Sequence, residues 1–239
     1  MRRVLVTGGG SGIGRAIARR MAEQGCAVTI CGRRMAALEE TARGGDMSLR
    51  LADVTEEAEV AALFDAPFDV VVANAGGGQA AKLRDTTLEE WNRTLNVTLT
   101  GTFLTFRAAL AGMGPGGRLV AVASTASLKG GANIAAYAAA KHGVLGLVRS
   151  VAQEVAKQGI TCNAVCPGFV DTPLAEKAVE GLMVRFGIDR AEAEARVASG
   201  NPVGGFISPD EVAAAVAYLA SPDARMINGH ALSVSGGEV

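Results

Sequence analysis

The chain has 239 residues, 49% of them apolar, with a formal net charge of −1 and a pI near 6.2. That balance suits a single α/β domain over residues 1–239 and argues against nucleic acid or an anionic membrane as the main partner. No apolar run reaches the roughly 18 residues of a membrane span, and a strand begins almost at the N-terminus with no leader before it, so a cytoplasmic protein is expected. Cys26, Cys31, Cys162 and Cys166 have no metal-ligand or C-x-x-C spacing and read as free thiols, most of them in apolar runs. His142 and His230 are the only histidines and lie far apart, so neither a histidine triad nor a metal centre is expected.

Arg3-Val-Leu-Val-Thr7 predicts a strand that stops at Gly8-Gly9-Gly10-Ser11-Gly12-Ile13-Gly14. A helix comes next, with Ile13, Ile17, Ala18 and Met21 on one face. Strand, glycine turn and helix together suit a dinucleotide: glycines admit a pyrophosphate and the helix N-terminus presents free N–H groups. No Gly-Lys-Ser/Thr is present after it, so the turn is not a Walker loop. Ala27–Cys31 is the second strand. Gly32, Arg33 and Arg34 stand where an acid for the ribose 2′-hydroxyl would be expected, ahead of a helix over Met35–Arg43. The two arginines either face water or receive a 2′-phosphate.

Met47–Leu51 makes the third strand, leading to Asp53-Val54; Asp53 suits an adenine amino group or the cap of a helix starting near Glu56. Phe68–Ala73 reads as a strand buried on both faces, ending in Asn74-Ala-Gly-Gly-Gly78. One long helix is predicted from Leu88 to Gly112, with Trp91, Leu95, Leu99, Phe103 and Phe106 as its apolar stripe. Asn96 interrupts it, either as a solvated position or with a specific role.

Arg118–Ala123 is the fifth strand and delivers Ser124, with Ser127 in the loop after it. The next helix opens with Tyr137-Ala-Ala-Ala-Lys141, which places a phenol and an ammonium one turn apart on one face. A phenol titrates near 10 in water; lowering it by roughly 2–3 units takes roughly 3–4 kcal/mol, within reach of two close cations in a dry cleft. Ile160–Cys166 is the sixth strand, closed by Pro167-Gly168. Thr172-Pro173 then starts a helical insertion to about Ser199, striped by Leu174, Ala178, Leu182 and Phe186: a lid, or a surface helix pair. A helix over Pro209–Ala220 and a strand over Ala231–Ser235 complete the chain.

Alternating strands and helices with short loops predict a parallel sheet whose ligands gather at the carboxyl ends of its strands. Gly8–Gly14, Asp53, Asn74, Ser124 and Pro167–Thr172 all fall at those ends. In that order and spacing, Thr7–Gly14, Asp53-Val54, Asn74-Ala-Gly76, Asn96, Ser124, Tyr137-x-x-x-Lys141 and Pro167-Gly-x-x-x-Thr172 resemble the short-chain dehydrogenase/reductase family over essentially the whole chain. The resemblance implies an α/β, three-layer Rossmann-type doubly wound parallel sheet in order 3-2-1-4-5-6-7 with a small helical lid, and usually a homotetramer. It implies Tyr137 as proton donor and acceptor, Ser124 as carbonyl orienter, Lys141 as ribose ligand and pKa depressor, and Asn96 in a proton relay. Cofactor contacts are implied at Gly8, Ser11, Gly12, Ile13, Gly14, Arg33, Arg34, Asp53, Val54, Asn74, Tyr137, Lys141, Pro167, Gly168, Val170 and Thr172.

Three departures from the family pattern stand out. Ala73 precedes Asn74 where a second asparagine is common, the segment from Asp53 to Asn74 is several residues short, and Ser235 replaces a frequent aspartate at the C-terminal subunit contact. The segments Cys166–Pro173 and Asn201–Phe206 look like those of 3-oxoacyl-thioester reductases, polyketide ketoreductases included. The reading is an oxidoreductase interconverting a ketone and a secondary alcohol, most closely a 3-oxoacyl thioester, with NADP(H) favoured and NAD(H) admissible. Another small ketone or alcohol, or a non-catalytic dinucleotide-sensing scaffold, are the alternatives.

Overall fold

Val4, Leu5 and Val6 form an uninterrupted apolar triplet, and all three are fully buried because helices cover both faces of their strand. The computed structural model describes residues 1–239, apart from the side chain of Leu174. Seven parallel strands lie in the order β3-β2-β1-β4-β5-β6-β7. They are β1 (Arg3–Thr7), β2 (Ala27–Gly32), β3 (Met47–Leu51), β4 (Val70–Ala73), β5 (Arg118–Val122), β6 (Thr161–Pro167) and β7 (Ala231–Val234). This is the doubly wound topology expected from the alternation of elements. Adjacent residues point to opposite faces. Leu5, Val71, Leu119 and Ala121 therefore enter the core under α5 (Gly101–Leu110) and α6 (Ala135–Val155). Val4, Val6, Val70, Val72 and Val120 enter the other core, under α1 (Gly12–Glu23) and α9 (Pro209–Ala220).

The crossover helices reflect their segments. α2 (Met35–Ala42) is short and α3 (Glu57–Ala61) shorter still, as the missing residues before Asn74 require. Ser208 and Glu211 form a reciprocal capping box that starts α9, with Pro209 in its first turn. The four cysteines are free thiols, three of them buried. No helix among the described residues is long and apolar enough to cross a membrane.

Two expectations about helices are corrected. The single helix over Leu88–Gly112 is instead α4 (Leu88–Leu95), a π-turn (Asn96–Thr100) and α5, with the Gly101 N–H reaching the Asn96 carbonyl. One extra residue in that turn rotates α5 relative to α4, so of the stripe Trp91/Leu95/Leu99/Phe103/Phe106 only Leu99 and Phe106 reach the sheet core. Phe106 is buried, whereas Phe103 is 41% exposed beneath the Arg107 guanidinium. A row of threonines, Thr94, Thr98, Thr102 and Thr105, is buried instead.

The second correction concerns the insertion, α7 (Pro173–Phe186) and α8 (Arg190–Ala198). Its core is Val179, Ala193 and Val197, with Leu182, Met183 and Phe206 against them, separate from both sheet cores. Of the predicted stripe, Ala178 and Leu182 join this core and the Leu174 side chain lies outside the described residues. Phe186 stays half-exposed under the guanidinium groups of Arg185 and Arg196. Arg190 ties α8 to α7 through Glu176 and pairs with Glu194 one turn along its own helix.

Candidate active site

The turn after β1 lies where the strand order reverses, so crossovers leave in opposite directions and open a crevice. Gly8 and Gly12 have positive φ, +65° and +49°, which a residue with a Cβ resists. A Cβ on Gly14 would lie 2.3 Å from the Gly8 carbonyl oxygen, so only glycine permits this approach. Ser11 precedes α1 in extended conformation but makes no side-chain cap, which leaves the helix's first N–H groups without a side-chain acceptor. Glycine-lined space and uncapped amides make a cradle that fits a pyrophosphate. Thr172 and Pro173, the start of the insertion, stand directly over Gly12: a Cβ there would be 3.1 Å from the Thr172 methyl.

Asn74 was expected to contact a cofactor. Its amide nitrogen donates to the carbonyls of Thr7 (2.9 Å) and Gly8 (3.2 Å), and its backbone N–H to the Thr7 hydroxyl (3.0 Å). With its amide so engaged, Asn74 staples β4 to the glycine turn. Val54 likewise turns its side chain into the core, against Gly101, leaving only its backbone to the crevice.

At the far end of the crevice, a cleft of about 640 Å³ is lined by Arg33, Asp53, Thr55, Asn92, Asn96 and Val97, among others. Asp53 forms an Asx turn, accepting from the Thr55 N–H (3.0 Å) and hydroxyl (2.8 Å), and so does not cap α3. Its other oxygen faces Arg33 at 3.7 Å. Burial works to raise the Asp53 pKa, but the Thr55 bonds and Arg33 outweigh it and hold the carboxyl below its ordinary value. Gly32 leaves open space beside them, with only Leu38 near an added Cβ. Arg33 is 74% exposed, and Arg34 is exposed at the start of α2.

β5 and α6 deliver the reactive groups. Lys141 is buried on α6, with its ammonium bonded to the Val122 carbonyl (2.6 Å) and 5.7 Å from the centre of the Tyr137 ring. Ser124, at the end of β5, accepts the Ala126 N–H and puts its hydroxyl in reach of the Tyr137 phenol. A hydroxyl, a phenol and an ammonium thus converge, with the phenol and the ammonium against the Gly76–Gly78 loop. A family model described as Enoyl-(Acyl carrier protein) reductase matches residues 8–238. The chain belongs to the short-chain dehydrogenase/reductase family. A Streptomyces coelicolor protein assigned as a ketoacyl reductase is 39% identical, covering 98% of this chain and 95% of its own. The mouse (3R)-3-hydroxyacyl-CoA dehydrogenase is 36% identical, covering 98% and 94%. A solved variant of the actinorhodin polyketide ketoreductase with NADPH superposes with a TM-score of 0.93 at 36% identity, covering 99% and 97%. This short-chain dehydrogenase/reductase is a nicotinamide-dependent oxidoreductase acting between ketone and secondary alcohol.

The electrostatics of this dehydrogenase/reductase differ from the sequence expectation. Burial raises the Tyr137 phenol above its ordinary value, with only the Ser124 hydroxyl pulling it down. Burial also pushes the Lys141 ammonium down to about 8. Cys166, at the end of β6, is raised to about 11 by burial, with the Ser124 N–H and Lys141 opposing.

Asn96 is exposed in the π-turn and lines the cleft beside Arg33 and Asp53. Pro167 ends β6, and the Gly168 N–H bonds the Val234 carbonyl; Val170 is buried and its carbonyl accepts the Thr172 hydroxyl. Two neighbours of the site escaped the sequence reading. Thr98 is one; the recurring threonines of α4–α5 opposite a glycine loop were its signal. The other is Glu238, whose nearly buried carboxylate pairs with Lys129 at 3.0 Å and packs against Gly168 and Gly200. A terminal glutamate gives no periodic signal.

Proposed function

We propose that this enzyme reduces 3-oxoacyl thioesters to 3-hydroxyacyl thioesters with NADPH. The observation that carries the reading is the convergence of Ser124, Tyr137 and Lys141 in a chain whose relatives are named for ketoacyl and 3-hydroxyacyl chemistry. The Ser124 and Tyr137 hydroxyls hold the substrate carbonyl oxygen. A bound reduced nicotinamide supplies a hydride to the carbonyl carbon. Tyr137 gives its proton to the oxygen, and Lys141 stabilises the phenolate that remains. The uncapped start of α1 holds the pyrophosphate, with Ser11, Gly12 and Ile13 lining it. Pro167, Gly168, Val170 and Thr172 form the wall at the nicotinamide end. The working form is a homotetramer, for which the half-exposed Phe103 face of α5 offers an apolar contact. Rates of nicotinamide absorbance change across a panel of 3-oxoacyl thioesters and simple ketones test the substrate class. The thioesters should show the higher kcat/KM; a clear preference for simple ketones refutes the assignment.

The cofactor preference rests on Gly32 and Arg33. An acid at position 32 would repel a 2′-phosphate; glycine leaves the space open, and Arg33 stands at its rim. A phosphate dianion should draw the guanidinium from its long contact with Asp53. One charge-assisted pair contributes roughly 1.5–3 kcal/mol, and exposure reduces this to about 1.4 kcal/mol, or about tenfold. Wild type should favour NADPH by about that factor in kcat/KM. Arg33→Ala should lose most of the margin while its NADH values barely move. Equal use of both cofactors by wild type contradicts the argument.

The insertion is proposed as a lid. It has its own small core and its own ion pairs, and it begins over the glycine turn, so it can move as a unit on the segment around Thr172. Hydrogen exchange over 172–199 should slow when cofactor and substrate analogue bind, with β1, β4 and β5 unchanged. Equal protection in the free and ternary states makes it a fixed helix pair.

A further inference from the structure

The four buried threonines of α4–α5 do not behave alike. Thr94 donates its hydroxyl to the Glu90 carbonyl (2.9 Å), Thr102 to Thr98 (2.7 Å) and Thr105 to Gly101 (2.7 Å), each one turn back on its own helix. Thr98 is only 1% exposed, yet its hydroxyl leaves the helix. It accepts the Gly77 N–H at 3.3 Å and donates to the Gly77 carbonyl at 3.2 Å. Donor and acceptor capacity are thus both taken by one residue of the loop after β4.

That loop lies between α4 and the reactive face of α6. A Cβ on Gly76 would stand 3.4 Å from the Thr98 hydroxyl oxygen and 3.7 Å from the Lys141 ammonium nitrogen. A Cβ on Gly78 would stand 3.1 Å from both the Thr94 methyl and the Tyr137 ring. Backbone one residue thick therefore separates the threonine row from Lys141 and Tyr137. Among the described residues the Lys141 ammonium has one hydrogen-bond partner, the Val122 carbonyl, and the Gly76 backbone packs beside it.

We propose that Thr98 is a positioning residue of the active site: by bonding both polar groups of Gly77, it holds the Gly76–Gly78 backbone against Lys141 and Tyr137. The π-turn sets the phase that points Thr98 at the loop and leaves Asn96 exposed. An ordinary buried threonine would affect stability alone. This one also sets the dryness around the ammonium and the placement of the phenol, and thereby the rate and its pH dependence.

Thr98→Val keeps the shape and removes the hydroxyl. The expected result is a fall in kcat of about 10- to 100-fold at saturating NADPH, since a displacement on the order of 1 Å suffices for such a loss. The alkaline limb of the kcat–pH profile should also move upward, because water reaching Lys141 relaxes its depressed pKa. Thr98→Ser should recover kcat to within about threefold. Thr102→Val removes a comparable buried hydroxyl that bonds only to its own helix, and should leave the pH profile in place. A Thr98→Val enzyme with wild-type kcat and profile, or one that merely melts earlier, overturns the proposal. If that variant does not fold, the wild-type chain still decides: the Gly77 amide should exchange slowly in the free protein, and rapid exchange refutes the clamp. The proposal rests on the Ser124/Tyr137/Lys141 reading. Should wild type reduce no carbonyl in the panel, that reading fails, while Gly77 exchange still reports the clamp by itself.

Discussion

Lys141→Met should make the protein more stable and nearly inactive. Lys141 is buried, and burial lowers its pKa from 10.5 to about 8, so folding a charged lysine into this position is unfavourable at neutral pH. A shift of that size corresponds to about 3 kcal/mol. Methionine fills similar space without charge, at the loss of one charge-assisted hydrogen bond to Val122 worth about 1.5–2 kcal/mol. The net gain is about 1 kcal/mol, which for a chain of this size raises Tm by about 2–4 °C. Between pH 8 and 10.5 the unfolded lysine is protonated and the folded one is not, so this site adds stability as pH rises through that window. The difference in Tm between the two proteins should therefore shrink from pH 7 to pH 10. Turnover should fall by about 10²–10³-fold with the loss of an electrostatic partner for the phenolate. A variant that melts lower than wild type at pH 7 contradicts the burial argument; one that turns over normally contradicts the role of the ammonium.

A charge held at a stability cost belongs at a site that uses it, and the sequence made that site legible through short-range spacing. Tyr137 and Lys141 are one helical turn apart, Ser124 ends a strand, and Gly8–Gly14 join a strand to a helix. Each of those placements depends only on local geometry, and the alternation of strands and helices then brings them to one end of the sheet. The misplaced residues depended on phase carried over long distances. The apolar stripe was read along one continuous helix, and the π-turn at Asn96 buries Thr98 and lifts Phe103 out of the core. Phe186 failed for a related reason: the insertion packs on itself, and the two guanidinium groups over that ring leave it at the surface. The direction of the Tyr137 shift was missed because sequence spacing counts a neighbouring charge but carries no measure of dehydration. Here burial is the larger influence on both members of the pair.

Burial also suits Tyr137 to the reductive direction proposed above. A phenol raised above its ordinary value keeps its proton at neutral pH, ready for a carbonyl oxygen gaining charge as it is reduced. The Ser124 hydroxyl in reach of the phenol can share that oxygen, and Lys141 lies 5.7 Å from the ring centre. Tyr137→Phe keeps the ring, its packing against Gly78 and the helix, and removes only the hydroxyl and the proton it carries. The decisive measurement is the steady-state rate of NADPH oxidation with a 3-oxoacyl thioester for wild type and Tyr137→Phe, alongside NADPH affinity from fluorescence titration. Turnover should fall by about 10²–10⁴-fold while affinity changes by no more than about threefold. A Tyr137→Phe enzyme that reduces the same substrate at near wild-type rate would contradict the account.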